Sequence, residues 1–372
     1  MTRQRDVVRR APGKLFVAGE YAVVEPGNPA ILVAVDRHVT VTVTGPAEAG
    51  VGISSDLGPR GARRRWRWRD GRLDPYGADR PDARAGLVHV LSAIETVARL
   101  LAERGMPAPE FDVSVESGLH DNGTKYGLGS SGAVTVATVA AVAAYCGLAL
   151  SDEERFRLAL LATAEIDPKG SGGDLAASTW GGWIAYRAPD RSAVRALARA
   201  RGVGEALRAP WPGFGVRRLP APDGLALEVG WTGNPASTAA LVSDLHRRPW
   251  RGTPAHRRFV RTTTDCVRAA VAALERGDGR RLLDQIRRAR QELARLDDEV
   301  ALGVFTPRLT ALCEAAEAVG GAAKPSGAGG GDCGIALLDA TAPRDIARLH
   351  ERWEAAGVVP LPIRPASEGN EG

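Results

Sequence analysis

Alternation of apolar and polar residues predicts the first strands of this chain. The clearest case is the valine and threonine run at 39–43, inside a strand predicted over residues 30–43. An earlier strand is predicted over residues 7–24, and shorter strands are predicted at 111–116, 183–186, 225–231 and 334–338. These segments are spread along the whole chain, which indicates more than one sheet-forming region.

Apolar spacings of three and four residues predict helices between these strands. They cover residues 86–104, 257–275, 279–300 and 309–319. The run from Ser151 to Glu154 has the form of a capping box, which predicts a helix from there to about residue 165. Interleaved helices and strands favour a mixed α+β architecture.

The most apolar stretch of the chain lies at residues 133–150. Its length is marginal for a membrane span. It consists mostly of alanine and valine, contains Thr135 and Thr138, and follows directly on a glycine- and serine-rich run. A buried helix explains these features better, so no membrane association is expected.

A change in composition suggests how the chain divides. Residues 188–224 are rich in proline, glycine and arginine, and we interpret them as an irregular linker. The predicted domains are therefore residues 1–187, which would bind nucleotide, and residues 225–372. A length of 372 residues fits two domains.

Composition narrows the function only slightly. The formal net charge is +5, from 49 basic and 44 acidic residues, which suits a small anionic substrate as well as nucleic acid. The basic residues are mostly arginine in a chain rich in alanine and glycine, so their number carries little functional weight. The four cysteines form no C-x-x-C pair, the six histidines show no zinc spacing, and residues 1–10 have no apolar core of a signal peptide. We expect a cytoplasmic protein with reduced thiols.

Arginines and tryptophans alternate at residues 63–69, before Asp70 and Gly71. Aromatic and basic residues in alternation can stack on nucleic-acid bases. The cluster is short and isolated, and the Asp-Gly pair is typical of a hairpin turn. A charged strand pair is therefore the preferred interpretation, and no nucleic-acid partner is expected.

The main chemical signal is a glycine- and serine-rich turn at residues 125–133, which runs straight into the apolar helix. Backbone N–H groups at such a turn, together with the helix dipole, can bind phosphate. The chain has no Walker A loop, and residues 127–132 match a dinucleotide fingerprint only formally. The alternative is a tight turn in which Ser130 or Ser131 caps the helix, and capping by one of the two is expected.

Two more segments stand in order around this turn: residues 11–24, with the run GKLFVAGEYAVV, and residues 324–337, with GAGGGDCGIAL. With the central KYGLGSSGAV and the block at 170–186, they resemble the ordered motifs of the GHMP kinase superfamily, most closely the bacterial phosphomevalonate kinases. The resemblance covers nearly the whole chain. It implies a ribosomal-S5-like N-terminal domain, a ferredoxin-like C-terminal domain and an active site between them.

The resemblance also implies roles for individual residues. Lys14 and Asp174 are the implied catalytic residues, with Lys14 facing phosphate, whereas the residue pattern alone also permits a surface lysine and a helix-start aspartate. Ser131 is the implied magnesium ligand, with Ser130 as its rival. The implied ATP-binding residues are Lys125, Gly127, Leu128, Gly129, Ser130, Ser131, Gly132 and Ala133. The expected substrate-binding residues are Lys14, Glu20, Tyr21, Ser178, Thr179, Ser237, Lys324, Gly329 and Gly330.

The chain departs from the related mevalonate kinases at one position. Those enzymes carry a metal-binding glutamate 11 residues before the aspartate, and here that position is Thr163, with Glu165 two residues further on. The resemblance implies ATP and Mg²⁺ as cofactors and 5-phosphomevalonate as the substrate. The alternatives are mevalonate or another small molecule as acceptor, or a non-catalytic binding regulator, and a homodimer is possible.

Overall fold

The computed structural model describes residues 6–56, 63–76, 84–121, 124–235 and 238–366. The strands of the first part are β1 (Val7–Ala18), β2 (Pro29–Thr44), β3 (Val51–Ser55), β4 (Arg64–Arg69), β5 (Arg72–Pro75), β6 (Phe111–Ser117), β7 (His120–Asp121), β8 (Thr124–Lys125), β9 (Trp183–Arg187) and β10 (Gly215–Leu219). Its helices are α1 (Val88–Glu103), α2 (Ser130–Tyr145), α3 (Asp152–Ala164), α4 (Gly173–Trp180), α5 (Arg191–Arg201) and α6 (Val203–Arg208), with a 3₁₀ turn at Ala22–Val24.

The larger sheet has the strand order β10-β9-β2-β6-β3-β4-β5, and β1 pairs with β2. The β1–β2 register shifts between Pro12 and Lys14, where Gly13 forms an irregularity. A side chain at Gly13 would collide with Leu119 and with the Leu128 carbonyl. The shift frees the Lys14 N–H from the strand ladder, and it donates to Leu128 O at 2.8 Å. Strand β1 is therefore hydrogen-bonded to the turn that precedes α2.

Helix α2 packs against β1, β2, α1, α3 and α4, and most of its residues are buried. This confirms the prediction of a buried helix for the apolar run. Within the described ranges, no helix combines the length and apolarity needed to cross a bilayer. The capping box also forms: the Ser151 hydroxyl accepts from the Glu154 N–H, and Glu154 accepts from the Ser151 N–H.

The second part contains α7 (Thr238–Arg247), α8 (Pro254–Glu275), α9 (Gly279–Val300), α10 (Pro307–Glu317) and α11 (Pro343–Ala355). Its strands are β11 (Leu225–Trp231), β12 (Ala322–Pro325), β13 (Cys333–Asp339) and β14 (Val359–Leu361), in the order β12-β13-β11-β14. All pairings in this smaller sheet are antiparallel. The predicted strand at 225–231 and the predicted helix at 279–300 have the observed bounds.

The expectation of an irregular linker at residues 188–224 is wrong. This segment forms α5, α6 and β10, and β10 pairs with β9 at the edge of the larger sheet. Its prolines and glycines lie mainly between these elements, where they end helices rather than prevent them. The positions of the domain boundaries themselves remain a prediction.

The arginine–tryptophan cluster forms the predicted hairpin of β4 and β5. Trp66 is fully buried, and the Trp68 indole N–H donates to Pro109 O at 2.8 Å. Both rings are used within the fold, because alternate residues of a strand point to the same face. The hairpin therefore offers neither ring for stacking on bases.

Candidate active site

The turn before α2 presents backbone N–H groups at the helix N-terminus. Gly129 is the N-cap residue in the left-handed conformation, with φ 77°. The first intrahelical bond runs from Ala133 N–H to Gly129 O at 3.1 Å, so the three preceding N–H groups point out of the helix end. Neither Ser130 nor Ser131 caps the helix. The expectation of a serine cap is therefore wrong, because the glycine conformation makes the cap.

Three glycines of this turn each face one polar side chain from elsewhere in the chain. A Cβ atom on Gly127 would lie 2.6 Å from Asp332 Oδ2, and one on Gly129 would lie 3.0 Å from Lys14 Cε. A Cβ atom on Gly132 would lie 2.5 Å from Asp174 Oδ2. The absence of side chains lets all three polar groups approach the loop backbone. The three separate sequence segments thus meet at one loop.

Lys14 is buried rather than at the surface, with only 7% of it exposed. Its Nζ donates to Gly127 O at 3.2 Å and lies 5.5 Å from the centre of the Phe16 ring. Gly327 of the third motif approaches the same Nζ. Among the described residues, no carboxylate forms an ion pair with Lys14. An ammonium group buried without a carboxylate is costly unless a ligand or another group offsets its charge.

Asp174 lies in the first turn of α4, and Gly172 is the left-handed N-cap of that helix. Its carboxylate faces Gly132, and its Cβ is on the same side of Gly129 as Lys14. The two implied catalytic residues therefore approach the glycine- and serine-rich turn together at Gly129. Gly173 allows α4 to start against Phe16 and Leu32, where a Cβ atom would be 3.1 Å and 3.2 Å away.

The remaining residues of the loop divide into exposed and buried groups. Lys125 and Ser131 are exposed, and Ser130 is half-buried. Leu128 and Ala133 are buried in the core, where Leu128 contributes its carbonyl to Lys14 N–H. Ser131 therefore has an accessible hydroxyl at the helix N-terminus, which suits the expected metal-facing role.

The third motif is tied to the first by a buried ion pair. Lys324 is fully buried, and its Nζ pairs with Glu20 and donates to Pro325 O at 2.6 Å. Glu20 also accepts from Gly327 N–H at 3.3 Å. Glu20 and Lys324 thus neutralise each other's charge, and their expected substrate contacts remain predictions. The pair holds the two motifs together.

Tyr21, Gly329 and Gly330 also connect these segments. The Tyr21 hydroxyl donates to Ala328 O, and burial raises the pKa of Tyr21. Gly329 packs so closely on Val304 that a side chain would collide, and Gly330 N–H donates to Val304 O at 2.9 Å. Their substrate contacts remain predictions.

Ser178 and Thr179 are not at the cleft surface. The Ser178 hydroxyl donates to Pro12 O at 2.7 Å, and the Thr179 hydroxyl donates to Leu175 O at 2.7 Å. Both residues are buried. Their hydroxyls support the backbone, and their expected place at the border of the acceptor pocket remains a prediction. Ser237, the remaining expected substrate residue, lies outside the described residues.

Glu165 and Thr163, the two positions considered for a second metal ligand, both have other partners. Glu165 pairs with Arg199 at 2.9 Å on the surface. Thr163 is buried, and its hydroxyl accepts from Arg191 at 3.0 Å. Among the described residues, no group of three or more histidine, cysteine or acidic side chains could hold a metal ion.

Two residues near the site were missed by sequence reasoning. His89, at the start of α1, has a largely buried ring: burial lowers its pKa, and nearby Asp174 acts in the opposite direction. Arg191, at the start of α5, has a buried guanidinium whose Nη1 donates to Gly170 O at 2.9 Å. Neither belongs to a recognisable motif, and an arginine in an arginine-rich chain gives no signal of its own.

Comparisons with known proteins agree with this geometry. Residues 89–182 match the family described as GHMP kinases N terminal domain, and residues 270–355 match GHMP kinases C terminal. The chain belongs to the GHMP kinase family. It is 72% identical to a phosphomevalonate kinase from Streptomyces sp. (strain CL190), with 99% of each chain covered.

More distant relatives include a second kinase of the same family. A mevalonate kinase from Aeropyrum pernix is 30% identical over 88% of this chain and 87% of the relative. The solved structure of Streptococcus pneumoniae phosphomevalonate kinase, in complex with phosphomevalonate and AMPPNP, is 26% identical with a TM-score of 0.82, and covers 97% of this chain and 100% of that one.

Proposed function

We propose that this protein transfers the γ-phosphoryl group of ATP to (R)-5-phosphomevalonate, giving (R)-5-diphosphomevalonate and ADP. An acceptor phosphate oxygen attacks the γ-phosphorus, and the bond to the β–γ bridging oxygen breaks. The reaction belongs to the mevalonate pathway of isoprenoid precursor synthesis. The full-length 72% identity to a phosphomevalonate kinase, against 30% to a mevalonate kinase, favours this acceptor.

The observation that carries the chemistry is the position of Lys14. It is a buried cation without a carboxylate partner among the described residues, and it touches the loop at Gly127 and Gly129. Phosphoryl transfer needs positioning and charge stabilisation more than covalent chemistry from the protein. The loop N–H groups bind ATP phosphates, and Lys14 stabilises the charge on the transferring group.

The residues present also fit a magnesium ion. Magnesium binds oxygen ligands and usually takes only one or two from the protein, the rest coming from substrate phosphates and water. The exposed Ser131 offers a hydroxyl oxygen of this kind, and the Asp174 carboxylate faces the neighbouring Gly132. When bound, the ion neutralises phosphate charge. Ser131 would hold it, and Asp174 is close enough to orient its ligands.

Asp174 is expected to act mainly by orientation. The acceptor phosphate has a second pKa of about 6, so at neutral pH it is already largely dianionic and needs little help from a base. A carboxylate would repel that dianion unless cations surround it. Asp174 therefore aligns Lys14 and the phosphate-bound cation rather than removing a proton.

The function is tested by coupled measurement of ADP release with a panel of acceptors: 5-phosphomevalonate, mevalonate, homoserine and galactose. We expect turnover with 5-phosphomevalonate to exceed that with the others by orders of magnitude. Preference for mevalonate would support the alternative kinase. Release of ADP with none of them, from protein that binds ATP, would favour the non-catalytic regulator.

Two further properties of the protein are proposed from the sequence. A homodimer is checked by light scattering during size-exclusion chromatography, where a monomer mass at assay concentration would contradict it. A cytoplasmic location is checked by fractionation of the producing cells.

A further inference from the structure

The turn that carries Asp174 is held from behind by two buried side chains. The Tyr186 hydroxyl donates to Ser171 O at 2.6 Å, and Arg191 Nη1 donates to Gly170 O at 2.9 Å. Tyr186 comes from β9 and Arg191 from the first turn of α5. The two residues thus fix consecutive carbonyls just before α4.

Arg191 differs from Tyr186 because it brings a charge. It is 8% exposed, and no carboxylate of the described residues forms an ion pair with it. Its Nη2 donates to Thr163 Oγ1 at 3.0 Å, whereas its Nε has no hydrogen-bond partner in the described structure. Burying a guanidinium whose hydrogen-bond partners are all neutral costs free energy, because no anion offsets its lost hydration.

The carboxylates that act on Arg191 are Asp167 in the turn and Asp174 at the start of α4. Burial lowers the pKa of Arg191, while Tyr186, Asp167 and Asp174 raise it. Asp167 packs on Gly170, and its Oδ1 accepts from the N–H groups of Lys169 and Gly170. The guanidinium is therefore bonded to the turn that leads into Asp174, whose carboxylate faces Gly132 of the glycine- and serine-rich turn.

We propose that Arg191 is a positioning residue that aligns Asp174 and supplies positive charge behind it, so that the site accepts a dianionic phosphate as acceptor. The hydroxyl of an alcohol acceptor is uncharged, so a site for an alcohol needs less positive charge near the Asp174 carboxylate. This inference rests on the proposed function and deepens it. Arg191 acts through the turn at residues 170–173 and through its field, without touching the substrate.

The test compares Arg191→Met, Arg191→Lys and Tyr186→Phe. Tyr186→Phe removes one hydrogen bond from the same turn and keeps the charge, so kcat should fall only about fivefold. Arg191→Met should lower kcat/KM for 5-phosphomevalonate about 100-fold, while KM for ATP stays within a few-fold. Arg191→Lys should recover at least about tenfold of that loss, since it restores the positive charge, although not the planar set of guanidinium donors.

A readout independent of turnover is equilibrium binding of 5-phosphomevalonate and of mevalonate, measured by calorimetry in each variant. Arg191→Met should weaken binding of 5-phosphomevalonate about tenfold more than binding of mevalonate, because only the phosphorylated acceptor brings the dianion. Tyr186→Phe should change the two affinities by similar small factors.

Equal losses of kcat in Arg191→Met and Tyr186→Phe, with no recovery in Arg191→Lys and equal losses of affinity for the two acceptors, would overturn the charge role. If Arg191→Met does not fold, a folded but inactive Arg191→Lys protein overturns it. Failure of wild-type turnover with 5-phosphomevalonate would sink the proposed function instead, and the difference in binding between the two acceptors would still decide the role of Arg191.

Discussion

Two buried lysines of this protein have opposite environments. Lys324 is 0% exposed and pairs with the Glu20 carboxylate, so its charge is neutralised within the fold. Lys14 is 7% exposed, and its Nζ donates to the carbonyl of Gly127 with no carboxylate partner among the described residues, beside a loop whose N–H groups point outward. Both come from glycine-containing motifs of similar appearance.

The difference separates a structural charge from a functional one. A buried pair is already compensated, and it contributes by joining segments that are far apart in sequence. A buried cation without a carboxylate remains available to an anionic ligand, and ligand binding then offsets its desolvation. The comparison therefore predicts different effects for the two residues. Loss of Lys14 should lower activity, and loss of Lys324 should lower stability.

The largest expected effect is on turnover. Lys14→Ala should lower kcat about 1000-fold, because charge on the transferring phosphoryl group loses its partner. The free energy of unfolding should change by less than about 1 kcal/mol, since no buried carboxylate is left behind. Steady-state kinetics and urea denaturation measure the two effects, and exposed Lys169→Ala is the matched control. Near-native turnover in Lys14→Ala would show that Lys14 is not a functional charge, and the contrast with Lys324 would fail.

The next effect is on stability. Lys324→Met should lower the free energy of unfolding by about 3 kcal/mol, because it leaves the Glu20 carboxylate buried without its partner. The double variant Lys324→Met with Glu20→Gln should recover much of this loss. Urea denaturation with intrinsic fluorescence provides the measurement. If the double variant is no more stable than the single one, the pair is not the cause.

Asp174→Asn tests how far Lys14 depends on its neighbours. It should lower kcat about 100-fold by disturbing Lys14 and the metal-bound phosphates, without affecting the Lys324 pair. The residual rate should still decline as pH falls through about 6, where the acceptor phosphate gains a proton. An acid limb of the wild-type pH–rate profile that disappears in Asp174→Asn would restore a general-base role for the carboxylate.

The smallest effect comes from one added methyl group. In Gly129→Ala the new Cβ would lie 3.0 Å from Lys14 Cε, at a φ of 77° that suits glycine. Affinity for ATP should fall about tenfold through strain in the loop and a shifted lysine. Equilibrium binding of AMPPNP measures this. The control is Gly105→Ala, at an exposed helix end with φ 72° and free space around it. It introduces the same backbone strain away from the loop and should leave AMPPNP affinity unchanged.

The sequence was sufficient for the elements and for the loop that holds the site. Alternation and helical periodicity predicted most strands and helices, since they reflect which faces are buried. Segment 188–224 was misjudged because its proline and glycine content hid two short helices and an edge strand. The glycines and serines at 127–132 indicated the loop, whereas the left-handed cap at Gly129 became evident only from the backbone conformation in the structure.

Side-chain roles were predicted less well than motif positions. Lys324 and Glu20 were grouped with the substrate residues because each lies in a motif, but their pairing spans 304 positions and leaves no local pattern. Ser178 and Thr179 were predicted to border the pocket, and no sequence pattern indicated that both would be buried with their hydroxyls on backbone carbonyls. Arg191 could not be distinguished from other arginines in a chain where that residue is abundant.

The Glu20–Lys324 pair has a consequence for biosynthesis. Glu20 leaves the ribosome early, and its partner is made 304 residues later. At a translation rate of 5–20 residues per second, this interval is roughly 15–60 s. During that time the nascent chain holds an acidic residue that cannot yet be buried with its counter-ion. The segment that follows β1 therefore completes its packing only after synthesis has passed Lys324, at the start of the final glycine-rich motif.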